Sequence, residues 1–261
     1  MFLSFSEHKS TYLAMTCLLF SGYSFAESAP NEGSSVSANE VLIDPDTKQG
    51  WSSEISVGFS SSTGNTDNKS STLSAAITHN KLRLKYALGG SLAFAENKGV
   101  KTEEDSKLWS KIDYAITNKN HIFNLFVYNH KKFANVDSSI FDVVGYAQRL
   151  IDTDNHNLIV NIGAGGQKIQ YIKGKADSSR GIGYLGFEYT GKLTDTTTLS
   201  EELSIRRSRN DTISESITAL EVAMTKNLSL SLQYTVDHNT DVSEGIKKTN
   251  TKTSINIVGN F

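Results

Sequence analysis

The last strand-like segment of the chain sets small or apolar residues, Thr251, Thr253, Ile255, Ile257, Gly259 and Phe261, against Lys252, Ser254, Asn256 and Asn260. Similar segments run back to Trp51 with no proline between them. A period of two gives a strand one apolar and one polar face, and many such strands in series are the signature of a transmembrane β-barrel. The expected fold is all-β, a single antiparallel barrel over residues 50–261. Phe261, a terminal aromatic on the closing strand, reads as the signal through which the barrel-assembly machinery takes up that strand.

Hydropathy leaves no other route across a membrane. Apolar residues make up 38% of the chain, and no run of 18 occurs beyond the first thirty positions, which excludes helical spans. Hydrocarbon cannot hydrogen-bond the backbone, so a spanning sheet must close on itself. Outer-membrane lipid is then the surrounding medium. The formal charge of −2 and the dispersed basic residues exclude a nucleic-acid partner.

Residues 1–26 read as a cleaved signal peptide. His8 and Lys9 precede the apolar stretch Tyr12 to Phe20, and Ser24-Phe25-Ala26 offers small residues at the cleavage positions. Ala14-Met15-Thr16 before Cys17 does not suit a lipoprotein, and the apolar core is short for a retained anchor. Cleavage removes the sole cysteine, leaving no thiol for disulfides or metal. Residues 27–49 hold five acids against Lys48 and both prolines, Pro30 and Pro45, and read as a flexible periplasmic leader. Val41-Leu42-Ile43 is its one apolar anchor for a partner.

Alternation and turn signals together mark twelve strands. They are Trp51 to Ser60, Ser71 to Thr78, Leu82 to Glu96, Lys107 to Thr117, His121 to Phe133 and Ile140 to Ile151. Asn157 to Ile172, Arg180 to Leu193, Thr197 to Arg207, Thr212 to Met224, Leu228 to Asp237 and Thr249 to Phe261 follow. Short links at His79-Asn80-Lys81, Asn118 to Asn120, Asp152 to Asn155, Thr194 to Thr196 and Thr225 to Asn227 suit periplasmic turns. Longer polar links, Thr63 to Lys69, Asn97 to Ser106, Ala134 to Ser139, Lys173 to Ser179 and His238 to Lys248, suit the exterior. An even strand number returns both termini to the periplasm.

Two strands break the pattern. In the seventh, Ile169 and Tyr171 change parity after Gly165-Gly166, and a bulge there would restore the facing. In the tenth, Ile213 and Ile217 oppose Leu220, Val222 and Met224 with no glycine to account for it. Trp51, Tyr146, Phe187, Tyr189 and Phe261 fall at one end as a girdle would, and Phe59, Phe94, Phe133 and Tyr171 at the other.

Four stretches carry a resemblance: Ser62-Thr63-Gly64-Asn65-Thr66-Asp67, Arg149-Leu150-Ile151-Asp152-Thr153-Asp154, Leu193-Thr194-Asp195-Thr196-Thr197, and Tyr234-Thr235-Val236-Asp237 with Gly245-Ile246-Lys247-Lys248-Thr249. With them, residues 50 to 261 resemble the YdiY-type family, described as salt-induced outer-membrane proteins. The resemblance implies a barrel of uncharacterised activity, sometimes associated with salt or acid stress, with no established catalytic residue or ligand.

Catalytic chemistry is thin. His79, His121, His130, His156 and His238 lack zinc-motif spacing, although the first, second and fourth could form a ring near one end. No Ser/His/acid set can be placed on one outward patch, which weighs against a lipid hydrolase. The chain reads as no enzyme, with no cofactor. Parity opposite to the apolar set sends Glu54, Arg83, Lys85, Lys107, Lys111, Asp113, Arg149, Glu188, Arg206 and Asp237 to the lumen. Ala87, Gly89, Ser91, Ala93, Gly163 and Gly165 suggest room there. Two readings stay open. One is a narrow pore, weakly anion-preferring if Arg83, Lys85, Lys107 and Lys111 cluster; the other is a structural barrel occluded by pairing with Glu54, Asp113 and Glu188. The sequence does not fix the oligomeric state.

Overall fold

Alternating segments joined by short turns pair with their sequence neighbours, and twelve of them do so here until the sheet meets itself. The computed structural model describes residues 50–63, 68–97, 100–134, 136–172, 176–209, 211–240 and 248–261. Its antiparallel strands are β1 (Gly50–Thr63), β2 (Asn68–Lys81), β3 (Leu84–Asn97), β4 (Val100–Ala115), β5 (Asn120–Lys131) and β6 (Val136–Asp152). The circuit continues with β7 (His156–Tyr171), β8 (Ser178–Lys192), β9 (Thr197–Arg207), β10 (Thr212–Ala223), β11 (Leu228–Asn239) and β12 (Thr249–Asn260). β1 pairs with β12, so the barrel is closed and has no edge. The expected signal peptide and leader, and parts of the exterior links, lie outside the described residues.

The start of β1 and the end of β12 meet at one rim, the terminal rim, where Phe261 exchanges both backbone hydrogen bonds with Ser53 at 2.9 Å and extends the β1–β12 seam. Near this terminal rim Trp51, Tyr86, Tyr114 and Tyr146 point outward, and near the far rim Phe59 and Phe94 do so. Between them Ile55, Val57, Leu88, Ile112 and Ile257 stand exposed on the outer wall while their strand neighbours are buried. An apolar band between aromatic girdles is what a lipid-facing wall requires.

The strands outrun the expected limits at the far rim. Only residues 98–99 separate β3 from β4, so Thr102 to Ser106 belong to a strand rather than a loop. Outward side chains there, Glu104 and Ser106, need no apolar character once past the lipid band, and the hydropathy alternation fades while the backbone ladder continues. The β5–β6 link likewise contracts to a 3-10 turn at Lys132–Ala134 and residue 135.

Strand seven has no bulge at its glycine pair. β7 and β8 run in unbroken register from His156↔Gly191 to Ile169↔Ser178. Ile169 is therefore buried inside, and Tyr171 shares its inward parity rather than joining the outer girdle. The irregularities of its ladder with β6 lie on β6, between Val136 and Ser138 and between Arg149 and Ile151.

Candidate functional site

The barrel interior collects the buried polar and charged side chains, in three levels. Near the terminal rim stand Glu54 on β1, Lys85 on β3, Asp113 on β4, His121 on β5 and Arg149 on β6, all buried. Lys85 and Asp113 face each other in the β3–β4 register, and the Arg149 guanidinium donates to Asp152 Oδ2 at 3.0 Å. Arg83 is not among them. β2 runs on to Lys81, so the turn is Leu82-Arg83, with Leu82 at φ 53°. Arg83 is exposed there and reaches Ile116 O at 3.4 Å.

The middle level is packed. Trp109 on β4 is 0% exposed, and Phe123, Leu125, Val127, Phe141, Val143, Ile159 and Ile182 from β5 to β8 join it in one buried cluster with Tyr184 against it. Phe123 and Tyr184 meet edge to face, centroids 6.1 Å apart. Gly89 marks occupied space rather than room, because a Cβ there would collide with the Trp109 indole. Gly145 receives the Phe123 ring in the same way, its would-be Cβ 2.6 Å from that ring. An aromatic ring lying over a strand glycine restores the packing that the missing side chain forgoes.

Charged groups cross this level. Lys111 Nζ on β4 lies 3.7 Å from Glu188 Oε1 on β8 and 5.5 Å from the Phe123 centroid. Glu188 also accepts from Asn161 Nδ2 at 2.7 Å. Arg206 on β9 stacks over Phe141 on β6 at 4.7 Å. Three strands separate β4 from β8, and two separate β6 from β9. These contacts therefore bridge the lumen instead of running along one wall.

Toward the far rim charges of both signs gather. Glu103, Asp105 and Lys107 on β4 and Lys131 on β5 share an electrostatic network with Glu202 and Arg206 on β9, Asp237 on β11 and Lys252 on β12. The supposed basic cluster of Arg83, Lys85, Lys107 and Lys111 does not form. Arg83 is outside, and Lys107 and Lys111 each face acids from other strands.

The histidines point different ways. His79 stacks on Trp51 at 4.2 Å, His156 Nδ1 is 2.9 Å from Tyr189 Oη, and His121 is buried inside. Among the described residues no group of His, Cys, Asp and Glu could hold a metal ion.

The apolar interior went unseen in the sequence reading, which took the inward positions for polar or small. A signal was available in Ile122-Phe123-Asn124-Leu125-Phe126-Val127-Tyr128, where apolar residues occupy both parities. Such a near-continuous run belongs to a strand covered on both faces. Here one cover is the packed interior and the other the membrane.

Closed strand topology, an exposed apolar band and a buried charged interior together define an outer-membrane β-barrel fold. Residues 55–261 match the family model described as "Protein of unknown function, DUF481", and the chain belongs to that family. It is similar to "Uncharacterized protein YdiY" of Escherichia coli (strain K12), 20% identical over 205 residues that span 78% of this chain and 81% of that protein. Among solved structures it resembles the translocator domain of autotransporter NalP from Neisseria meningitidis. The TM-score is 0.54 at 12% identity, over 83% of this chain and 90% of that one. A looser match, TM-score 0.49 at 12% identity, is to the KdgM porin, over 79% of this chain and 99% of that one. The NalP likeness shows the fold.

Proposed function

We propose that this protein is a closed barrel of the outer membrane, a structural component of the envelope whose lumen does not conduct at rest. The observation that carries this reading is the bridged middle level, with Lys111 on Glu188 and Arg206 on Phe141 beside a fully buried Trp109. A buried ion pair is costly to separate, and close-packed aromatics take up the space that a water path would need. Both termini face the periplasm in this reading, with the far rim outside, and loss of the protein shows as envelope fragility under salt, the stress with which the resembling family is associated.

Proteoliposome swelling tests the closed lumen. Vesicles carrying the folded protein should shrink and fail to re-swell in small sugars and amino acids at the rate of protein-free vesicles; re-swelling at porin-like rates would defeat the proposal. Phe261 is 71% exposed while its backbone completes the seam. As an assembly signal it acts before folding, so Phe261→Ser should lower the yield of assembled barrel in cells yet leave refolding into detergent unchanged. Equal losses in both would make its role one of stability instead.

A further inference from the structure

The outer wall is notched at the far end of its apolar band. Register sets Ile255, Phe59, Ser71 and Phe94 side by side across β12, β1, β2 and β3, all facing outward. Ser71 is the small member of that row. The Phe59 and Phe94 rings stand exposed on either side of it, and a groove of about 710 Å³ opens along them. The next outward row toward the terminal rim, Val57, Leu73 and Leu92, is wholly apolar.

The other end of the groove is charged. The β3–β4 ladder slips between Ala95 and Glu96, so that Lys101 pairs with Glu96 while Glu103 pairs with Ala95. This bulge brings Lys101 round to the outward face of Glu104, whose Oε2 lies 3.9 Å from the Lys101 Nζ. Lys132 approaches the same carboxylate at 3.3 Å, so the Lys101 ammonium, on a side chain 70% exposed, is only loosely engaged. Glu96 and Lys101 both line the groove.

A volume of this size falls within the range of small-molecule sites, roughly 300–1,000 Å³. Its aromatic walls suit an acyl chain, because rigid rings offer a large apolar area with few rotamers to fix. The charged end selects the head group. Lys101 can donate to a phosphate and Glu96 can accept from an ammonium, so a head group with both signs is met twice. One that is only anionic meets Lys101 and is repelled by Glu96.

We propose that this groove holds one molecule of a zwitterionic glycerophospholipid. One acyl chain lies over Ser71 between the two phenylalanine rings, with the phosphate at Lys101 and the ammonium at Glu96. The site belongs to the lipid-facing wall and is independent of whether the lumen conducts.

Native mass spectrometry of the full protein, extracted in detergent and titrated with phosphatidylethanolamine, tests it. The expected result is a single retained lipid per barrel. Ser71→Phe adds a third ring to the row and fills the groove, and it should cut retention by about tenfold or more. Ile162→Phe, an outward substitution on β7, should leave retention unchanged. Both variants keep the interior intact and place an apolar side chain on the wall, so the barrel still forms. Lys101→Glu should weaken binding by about tenfold, the scale of one hydrogen bond to a charged group. Phosphatidylglycerol, whose head group carries only the negative charge, should bind more weakly than phosphatidylethanolamine. Several lipids retained at once, or equal retention by the parent and Ser71→Phe, would identify ordinary boundary lipid and overturn the proposal. Equal binding of the two lipids would overturn it as well, since the charges at the groove's end would then select nothing.

Discussion

Trp109→Ala should destabilise the barrel by about 3–5 kcal/mol, the range for truncating a large buried aromatic side chain. The indole is fully buried, lies against Gly89 of the neighbouring strand and packs in the same cluster as Phe123 and Phe141. Its removal takes the largest side chain from the middle level, and the rigid β-wall around it has little freedom to collapse into the gap. Gly89→Val approaches the same contact from the other side. The added methyls would have to displace the ring, at a cost of about 1–3 kcal/mol, whereas Gly183→Ala on the outer wall, with nothing closer than 3.9 Å to its would-be Cβ, should be nearly neutral. Urea unfolding in detergent micelles, followed by loss of the folded electrophoretic form, gives all three values. A Trp109→Ala cost below about 1 kcal/mol would mean that the middle level is not packed as described.

The second large effect concerns the charge bridge. Lys111→Met leaves the Glu188 carboxylate inside the barrel without its cation and should cost about 3–5 kcal/mol, as should Glu188→Met for the stranded ammonium. Joint replacement, Lys111→Met/Glu188→Met, exchanges the pair for apolar volume against Phe123 and should recover most of that loss, since well-packed apolar residues can substitute for a buried pair. The double-mutant cycle therefore predicts a large coupling between residues on β4 and β8. Additive single effects would show that the two groups do not meet. The bridge would then be withdrawn as the support for a closed lumen.

How much of this was legible in the sequence varies with the environment of each segment. β9 was placed from Thr197 to Arg207, with the limits the structure shows, because both ends carry turn residues and its outward Leu203 and Ile205 lie in the apolar band. The strand number followed from the same cues. At the far rim the cue disappears, since Glu104 and Ser106 face out beyond lipid, and an extended ladder there reads as loop. Parity identified Glu54, Lys85, Lys111, Asp113, Arg149 and Glu188 as interior candidates, and all six are buried. It misplaced Arg83, because a one-turn shift of two residues moves a side chain from wall to rim.

What parity could not convey was depth and partnership. Gly89 looked like vacancy and is covered by the Trp109 indole, which the local pattern around Gly89 could not announce, because the pairing of Gly89 with Trp109 is a register fact. Ile213 and Ile217 looked like an error of phase, yet the phase is regular and the anomaly lies in the surface that β10 presents. In both cases the local pattern was read correctly and its neighbour across the sheet supplied the meaning.

The most direct test of the closed lumen is single-channel recording from the folded, membrane-inserted protein in a planar bilayer under a KCl gradient, with Lys111→Glu alongside. The account predicts a silent wild type, with any conductance confined to the variant whose Lys111–Glu188 bridge is replaced by two acids. Reproducible wild-type steps, with a reversal potential that Lys111→Glu shifts toward cations, would contradict it and establish an open pore lined by these residues.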